Sequence, residues 1–143
     1  MLVNQILATK GKGGIISIGP DEKVTVATQL LASNRVGALV VLNDKSQLVG
    51  IISERDIVRT IGQLGSKTLS MYVKDIMSTK VVTCQGEETA DDILNKMTQG
   101  RFRHLPVTHD GRLTAMISIG DVVKARLEEL DKEKQALEDY IGH

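Results

Sequence analysis

The sequence is poor in aromatic residues, cysteine and proline, and it carries no excess charge of either sign. Its three aromatic side chains, Tyr72, Phe102 and Tyr140, are scattered along the chain, which argues against single-strand nucleic-acid binding by base stacking. Eighteen basic residues against 18 acidic ones give a formal net charge of zero, so the long-range field of a nonspecific nucleic-acid or membrane binder is missing. We expect no nucleic acid and no membrane among the partners.

The single cysteine, Cys84, excludes an intrachain disulfide and a zinc-binding thiolate cluster. No stretch approaches the roughly 18 apolar residues of a membrane span. The N-terminal sequence MLVNQILATKG lacks a cationic segment followed by an apolar region and a cleavage site. We therefore expect a cytoplasmic protein. A chain of 143 residues is long enough to bury an aliphatic core without disulfide or metal cross-links.

What the chain does contain is an internal repeat. Residues 3–10 return as residues 73–80, at an offset of 70 positions, and residues 50–56 return as 115–121, at an offset of 65. Most of the difference comes from Gly-Lys-Gly-Gly at 11–14, which we interpret as a flexible connector, because it lacks the spacing of a phosphate-binding loop. Gly-Ser-Lys-Thr at 65–68 fails the same test.

Each copy has the pattern strand, helix, strand, strand, helix. Short β-rich segments at 16–18 and 82–84 begin the two patterns, and apolar residues at helical spacing then predict helices. Turns around Asn43 and Asp110 separate the later strands of each copy. The predicted bounds are 23–34 and 88–100 for the first helices, 38–42, 48–53, 104–108 and 113–118 for the later strands, and 54–64 and 119 onward for the last helices.

A three-stranded sheet of this size cannot bury its apolar face alone. We therefore predict an α+β protein made of two pseudo-symmetric β-α-β-β-α repeats, 1–66 and 67–128, packed sheet to sheet. A helical extension over 129–143 follows them.

The most informative element is the repeated pattern of a small residue, an apolar residue, Ile, Ser, two variable residues and Asp, at 50–56 and 115–121. Taken singly, Ser-x-x-Asp is a helix capping box. The same geometry can hold a phosphate at the helix N-terminus and the two hydroxyls of a ribose on the Asp. Arg103 and His104 favour this second interpretation, because antiparallel strand pairing brings them to the strand end that carries Ser118.

The doubled pattern, with Gly-Ile-Ile-Ser-Glu-Arg-Asp at 50–56, Arg-His-Leu-Pro-Val at 103–107 and Ile-Ser-Ile-Gly-Asp at 117–121, resembles a tandem pair of cystathionine-β-synthase (CBS) domains, the Bateman module. The resemblance covers roughly residues 1–128. It implies a regulatory unit without catalysis, which binds AMP, ADP, ATP, S-adenosylmethionine or NAD in the cleft between its repeats. It also implies homodimers, in which two modules form a flat disc.

Carried over to matching positions, the resemblance implies one principal site and one weaker site. In the principal site, Asp121 binds the ribose and Ser118, Arg103 and His104 bind the phosphates. The adenine base lies against the other repeat with Met116 covering it, near Ile15, Ile16, Val36, Gly37 and Ala38.

The weaker site uses Ser53 and Asp56, with Val81, Val82 and Phe102 around the base. Gly37 and Ala38 of the first repeat match Arg103 and His104 of the second, so this site lacks both cationic partners. Ala115 stands where the family pattern favours glycine, as at Gly50. Its methyl group is expected to narrow the approach of a ligand to the strand without preventing it.

Catalytic and metal sites are not supported by the sequence. His104 and His109 point to opposite faces of a strand and its turn, and no third ligand completes a set. Cys84 and His104 lack an orienting third group and an oxyanion hole, so Cys84 is predicted to be a partly buried structural thiol.

The C-terminal helix carries an apolar seam at heptad spacing, formed by Val123, Leu130 and Leu137 with Leu127, Lys134 and Ile141. Up to residue 128 this seam is expected to cover the chain's own sheet. Beyond Leu130 we expect it to pack on a partner chain and reinforce a homodimer.

Three functions are compatible with these observations. The favoured one is a stand-alone sensor of adenine nucleotide or NAD that signals to an unidentified protein. The second is a ligand-independent dimerisation or scaffold module, in which the Ser-x-x-Asp boxes are only helix caps. An enzyme acting on a nucleotide is the least supported.

Overall fold

The computed structural model of the chain describes residues 1–9 and 15–142, which form two compact units. One unit consists of residues 15–82, and the other combines residues 83–142 with residues 1–9. The Gly-Lys-Gly-Gly sequence at 11–14 lies outside the described residues. In chain order the elements are α1 (Val3–Thr9), β1 (Ser17–Ile18), α2 (Val24–Asn34), β2 (Ala38–Leu42), β3 (Leu48–Ser53), α3 (Glu54–Leu64), a 3-10 helix (Gly65–Ser70), α4 (Val73–Ile76), β4 (Cys84–Gln85), α5 (Ala90–Gly100), β5 (His104–His109), β6 (Arg112–Ser118) and α6 (Ile119–Ile141).

The unit of residues 15–82 is built on a three-stranded sheet. Strand β1 is parallel to β2, and β2 is antiparallel to β3 with Ala38 opposite Ser53. The nearly continuous apolar sequence of β2 predicts a strand covered on both faces, and its first four residues are buried. Leu39 and Ile52 of this sheet are fully buried against α2 residues such as Leu31.

The other unit repeats this topology. Strand β4 is parallel to β5, and β5 is antiparallel to β6 with His104 opposite Ser118. The hairpin turns at Asp110 and Gly111, whose φ angles of 49° and 75° are the left-handed values that Asp and Gly tolerate. Leu105 and Ile117 are fully buried with α5 and α6 residues. The predicted α+β class and the two three-stranded sheets are therefore confirmed.

The N-terminal segment of each sequence repeat packs in the unit formed by the rest of the other repeat. In α1, the amide of Val3 donates to the carbonyl of Glu88 at 2.9 Å. After α4, Ser78 and Ile51 exchange two backbone hydrogen bonds of 3.0 and 2.8 Å. The compact units are therefore divided at other positions than the predicted repeat limits of 1–66 and 67–128, which stay a prediction.

Candidate functional site

Helices α3 and α6 both begin at a complete capping box. At α6, the amide of Asp121 donates to Ser118 Oγ at 3.2 Å, and the amide of Ser118 donates to Asp121 Oδ2 at 2.9 Å. At α3, Ser53 and Asp56 make the same two bonds at 3.2 and 2.9 Å. Each Ser-x-x-Asp box therefore stabilises the N-terminus of its helix, whether or not it also binds a ligand.

A third capping box shows that this geometry does not by itself identify a binding site. At the start of α5, the amide of Asp92 donates to Thr89 Oγ1 at 3.1 Å, and the amide of Thr89 donates to Asp92 Oδ2 at 3.0 Å. The hydrogen bonds that the backbone amide and the side chain of Thr89 donate to the Asp92 carboxylate hold the pKa of this carboxyl below its usual range. Neither residue belongs to the predicted site, so the distinguishing chemistry must come from the neighbouring residues.

That chemistry is present beside the α6 box. The amide of Ile119 donates to the carbonyl of Arg103 at 2.8 Å, and His104 lies directly opposite Ser118 in the sheet. His104, Ser118 and Asp121 are half-buried, while Arg103 is exposed. A guanidinium-bearing residue, an imidazole, a hydroxyl and a carboxylate thus meet at the N-terminus of a 23-residue helix. Met116 lies on the same strand, opposite Pro106.

The matching position in the other unit has the same backbone geometry and different chemistry. The amide of Glu54 donates to the carbonyl of Gly37 at 3.0 Å, and Ala38 lies opposite Ser53. Glycine and alanine offer no cation for a phosphate, as the sequence predicts for the weaker site.

The apolar residues predicted to contact the base of the principal site belong to the unit of residues 15–82. They lie just before β1 and at the start of β2: the amide of Val40 donates to the carbonyl of Ile16 at 3.3 Å, and the amide of Val36 donates to the carbonyl of Leu31 at 3.2 Å. Ala38 is buried, and the others are half-buried, namely Ile15, Ile16, Val36 and Gly37.

The weaker site contains an acid–base pair that sequence reasoning missed. Arg59 donates from Nη2 to Asp56 Oδ1 at 2.9 Å, and Ser53 Oγ lies 3.0 Å from Asp56 Oδ2. Both oxygens of this carboxylate are therefore engaged within its own unit. The signal was available, because acid and base three positions apart on a helix face each other.

The remaining predicted residues of the weaker site are divided between the two units. Val81 is half-buried and Val82 is 42% exposed, and both belong to the unit of residues 15–82. Phe102 is half-buried in the other unit, close to Gly100.

Cys84 is more deeply buried than the sequence suggested. It lies in β4 with 1% of its surface exposed, and burial together with the Glu88 carboxylate raises the pKa of the thiol to about 11. A neutral buried thiol is a poor nucleophile, which agrees with a structural role. Over residues 1–9 and 15–142 there is no cluster of three potential metal-ligating His, Cys, Asp or Glu side chains, and no helix there is both long and apolar enough to cross a membrane.

The sequence pattern of the CBS domain matches the chain twice, over residues 8–63 and 73–128. The mitochondrial CBS domain-containing protein CBSX3 of Arabidopsis thaliana is 37% identical over 146 residues, which cover 97% of this chain and 71% of that protein.

Solved structures agree with this assignment. A CBS-domain-containing protein from Agrobacterium tumefaciens is 41% identical, with a TM-score of 0.84 over 87% of this chain and 92% of that one. A CBS domain protein from Pyrobaculum aerophilum, complexed with AMP, is 26% identical, with a TM-score of 0.78 over 92% of this chain and 99% of that one. The chain therefore belongs to the CBS-domain family and carries two copies of the domain.

Proposed function

We propose that the chain is a regulatory module that binds AMP, ADP, ATP or NAD and signals to another protein by a change of conformation. The observation that carries this proposal is the grouping of Arg103, His104, Ser118 and Asp121 at the N-terminus of α6. The AMP complex of the Pyrobaculum relative supports an adenosine-containing ligand. S-adenosylmethionine shares the adenosine part and stays a candidate.

Each part of the nucleotide matches one part of the site. The phosphate receives the positive end of the α6 dipole, the Ser118 hydroxyl and the charge of Arg103, with His104 beside them. The ribose hydroxyls donate to the Asp121 carboxylate. The base contacts apolar surface, for which we propose Met116 and the residues Ile15, Ile16, Val36, Gly37 and Ala38.

The second site, around Ser53 and Asp56, is proposed to be weaker. It has no cation at the positions of Gly37 and Ala38, and Arg59 holds the carboxylate that a ribose would need. A dinucleotide can place its adenosine at Asp121 and its second half near this pocket, which keeps NAD among the candidate ligands.

Signalling requires a ligand that binds two conformations of the module with different affinity. We propose a cytoplasmic homodimer in which such a difference alters the contact with a regulated protein. No step of this proposal involves catalysis.

A ligand-independent scaffold is the second candidate function. The observation that favours it is that both Ser-x-x-Asp boxes are complete helix caps, as is the box at Thr89 and Asp92. In that case the chain is a dimer whose stability does not respond to nucleotides.

The experiment that distinguishes the two is a thermal-shift panel of AMP, ADP, ATP, NAD, NADH and S-adenosylmethionine, followed by calorimetry. A ligand at 100 times its Kd adds about 2.7 kcal/mol to the free energy of unfolding, which raises the Tm measurably. A shift with one or more nucleotides supports the sensor. A preparation free of copurified nucleotide whose Tm ignores all six ligands supports the scaffold.

Arg59→Ala is expected to strengthen the weaker site, because it releases Asp56 Oδ1 from the guanidinium that now binds it. We expect the Kd of the second binding event in calorimetry to fall about fivefold, since an exposed ion pair contributes up to about 1 kcal/mol. Arg55→Ala removes the same charge from α3 and is the matched control, with no change expected. An unchanged second event in Arg59→Ala would mean that the pair does not limit binding.

A further inference from the structure

Helix α6 has two opposite faces. On one face, Val122 and Ala125 are buried in the core of their own unit. On the other face, apolar side chains remain open to solvent: Val123 is 41% exposed, Leu127 61% and Leu130 44%. An open groove of about 580 Å³ follows this face, lined by Gly120, Val123, Lys124, Leu127, Glu128 and Asp131.

The exposed side chains are spaced as in a coiled coil. Intervals of four and three residues alternate from Val123 through Leu127, Leu130 and Lys134 to Leu137, so one lysine interrupts an otherwise apolar seam. Helices with this spacing associate along such a seam. Because Leu137 is 62% exposed, this seam continues beyond the part of the helix that packs on its own unit. The charged residues beside the seam then determine which helix fits against it.

We propose that the partner is a second copy of this chain, whose α6 packs antiparallel with Leu127 opposite the partner's Leu130. In this register Lys124 faces the partner's Asp131, and Arg126 faces the partner's Glu133. Each pair occurs twice by symmetry, so four opposite-charge pairs flank the seam and no like charges meet. The inference concerns the surface of the homodimer and does not depend on nucleotide binding.

Two further contacts fit the same register. Gly120 lies opposite the partner's Leu137, so the large leucine side chain packs against a residue that has no side chain. Ile119, which is 37% exposed, lies beside the partner's Tyr140, which is 83% exposed in the single chain. Arg126 already lies 3.4 Å from Asp91 and 3.7 Å from Glu129, and the partner's Glu133 adds a third acid beside this cation.

A parallel pair is disfavoured by the same residues. It would pair Arg126 with the partner's Asp131, but it would also place Lys134 against the partner's Lys134 within the seam and Glu133 against the partner's Glu138 beside it. Like charges this close are destabilising, most of all where apolar neighbours exclude water.

Antiparallel pairs shifted by one heptad in either direction are also disfavoured. One shift opposes Arg126 to the partner's Arg126 and Lys124 to the partner's Lys124. The other shift opposes Asp131 to the partner's Asp131 and Glu133 to the partner's Glu133. The charge pattern therefore selects one register and one orientation.

Disulfide trapping tests the orientation in the full chain. A mixture of Leu127→Cys and Leu130→Cys is expected to form covalent dimers about tenfold faster than either variant alone, because only the mixed pair has suitably placed Cβ atoms. The wild type is the control, since its one thiol, Cys84, is buried and its pKa is raised to about 11. Faster trapping of Leu127→Cys with itself would indicate a parallel pair, and absence of trapping in the mixture would assign the face to another protein; either result overturns the proposal.

A charge-reversal cycle tests the register. Lys124→Asp is expected to raise the dimer Kd about tenfold in sedimentation equilibrium, equivalent to about 1.4 kcal/mol. Adding Asp131→Lys to the same chain restores both opposite-charge pairs, and the Kd is expected to return to within about twofold of the wild type. A double variant weaker than Lys124→Asp would overturn the register.

Discussion

Asp121→Ala is expected to weaken adenine-nucleotide binding about 100-fold, because the variant loses two hydrogen bonds from ribose hydroxyls to a charged acceptor, each contributing about 1.5 kcal/mol. Isothermal titration calorimetry with AMP measures this change directly. The variant also loses the bond between Asp121 Oδ2 and the amide of Ser118, so its Tm is expected to fall as well.

Asp92→Ala separates the two effects. It removes a capping carboxylate of the same kind, at the start of α5, from residues that no nucleotide is proposed to touch. We expect its Tm to fall and its affinity for AMP to equal that of the wild type. Equal affinities for wild type and Asp121→Ala, or an equal loss in both variants, would contradict the assignment of Asp121 to the ribose.

Gly50→Ala is expected to destabilise the protein by about 1–3 kcal/mol, the usual cost of forcing an additional methyl group into a filled space. A Cβ atom at Gly50 would lie 2.6 Å from Met77 Sδ and 2.9 Å from the backbone oxygen of Ser78. The thioether can move, but the Ser78 oxygen accepts the amide of Ile51 at 3.0 Å and cannot move without breaking that bond. Urea unfolding, monitored by circular dichroism, measures the loss.

Gly62→Ala provides a control of opposite sign. Gly62 lies inside α3, and a Cβ atom there would meet no heavy atom within 4 Å. Alanine favours a helix over glycine by about 1 kcal/mol, so this variant is expected to be more stable than the wild type. If Gly50→Ala matched the wild type in stability, the segment at Ser78 would not be fixed against β3.

The helices and the hairpin strands could be predicted closely from the sequence, because the same apolar periodicity occurs in both copies of the repeat, at a nearly constant offset. The helix predicted over 54–64 begins and ends as expected, and those predicted over 23–34 and 88–100 begin one and two residues later, respectively. Strand β4 occupies Cys84–Gln85 instead of 82–84, which is understandable for a two-residue strand that pairs only with β5.

The exchange of N-terminal segments could not be predicted. Residues 3–10 and 73–80 have the same apolar spacing, so either copy matches either unit by pattern alone. The choice is made by long-range bonds, such as Val3 to Glu88 and Ile51 to Ser78, which leave no trace in local sequence. The helices α1 and α4 and the 3-10 helix were not among the predicted elements.

At the candidate site, the sequence predicted the strand end at which Arg103 and His104 meet Ser118, because antiparallel pairing follows from a short turn. The engagement of Asp56 by Arg59 was overlooked, although its spacing was visible. The ligand's identity is not encoded in any one motif, because adenosine chemistry is common to all the candidate nucleotides.

The division of the chain between its two units has a consequence for protein synthesis. Residues 15–82 form one continuous unit, which can fold as soon as it has emerged from the ribosome. Helix α1 is translated before that unit, yet its hydrogen-bonding partners Gly86 and Glu88 follow only after the whole of it. Val3 and Ile6, which are buried in the folded unit, therefore stay uncovered until those later residues have been made, and a chaperone that binds apolar segments is expected to protect them in that interval.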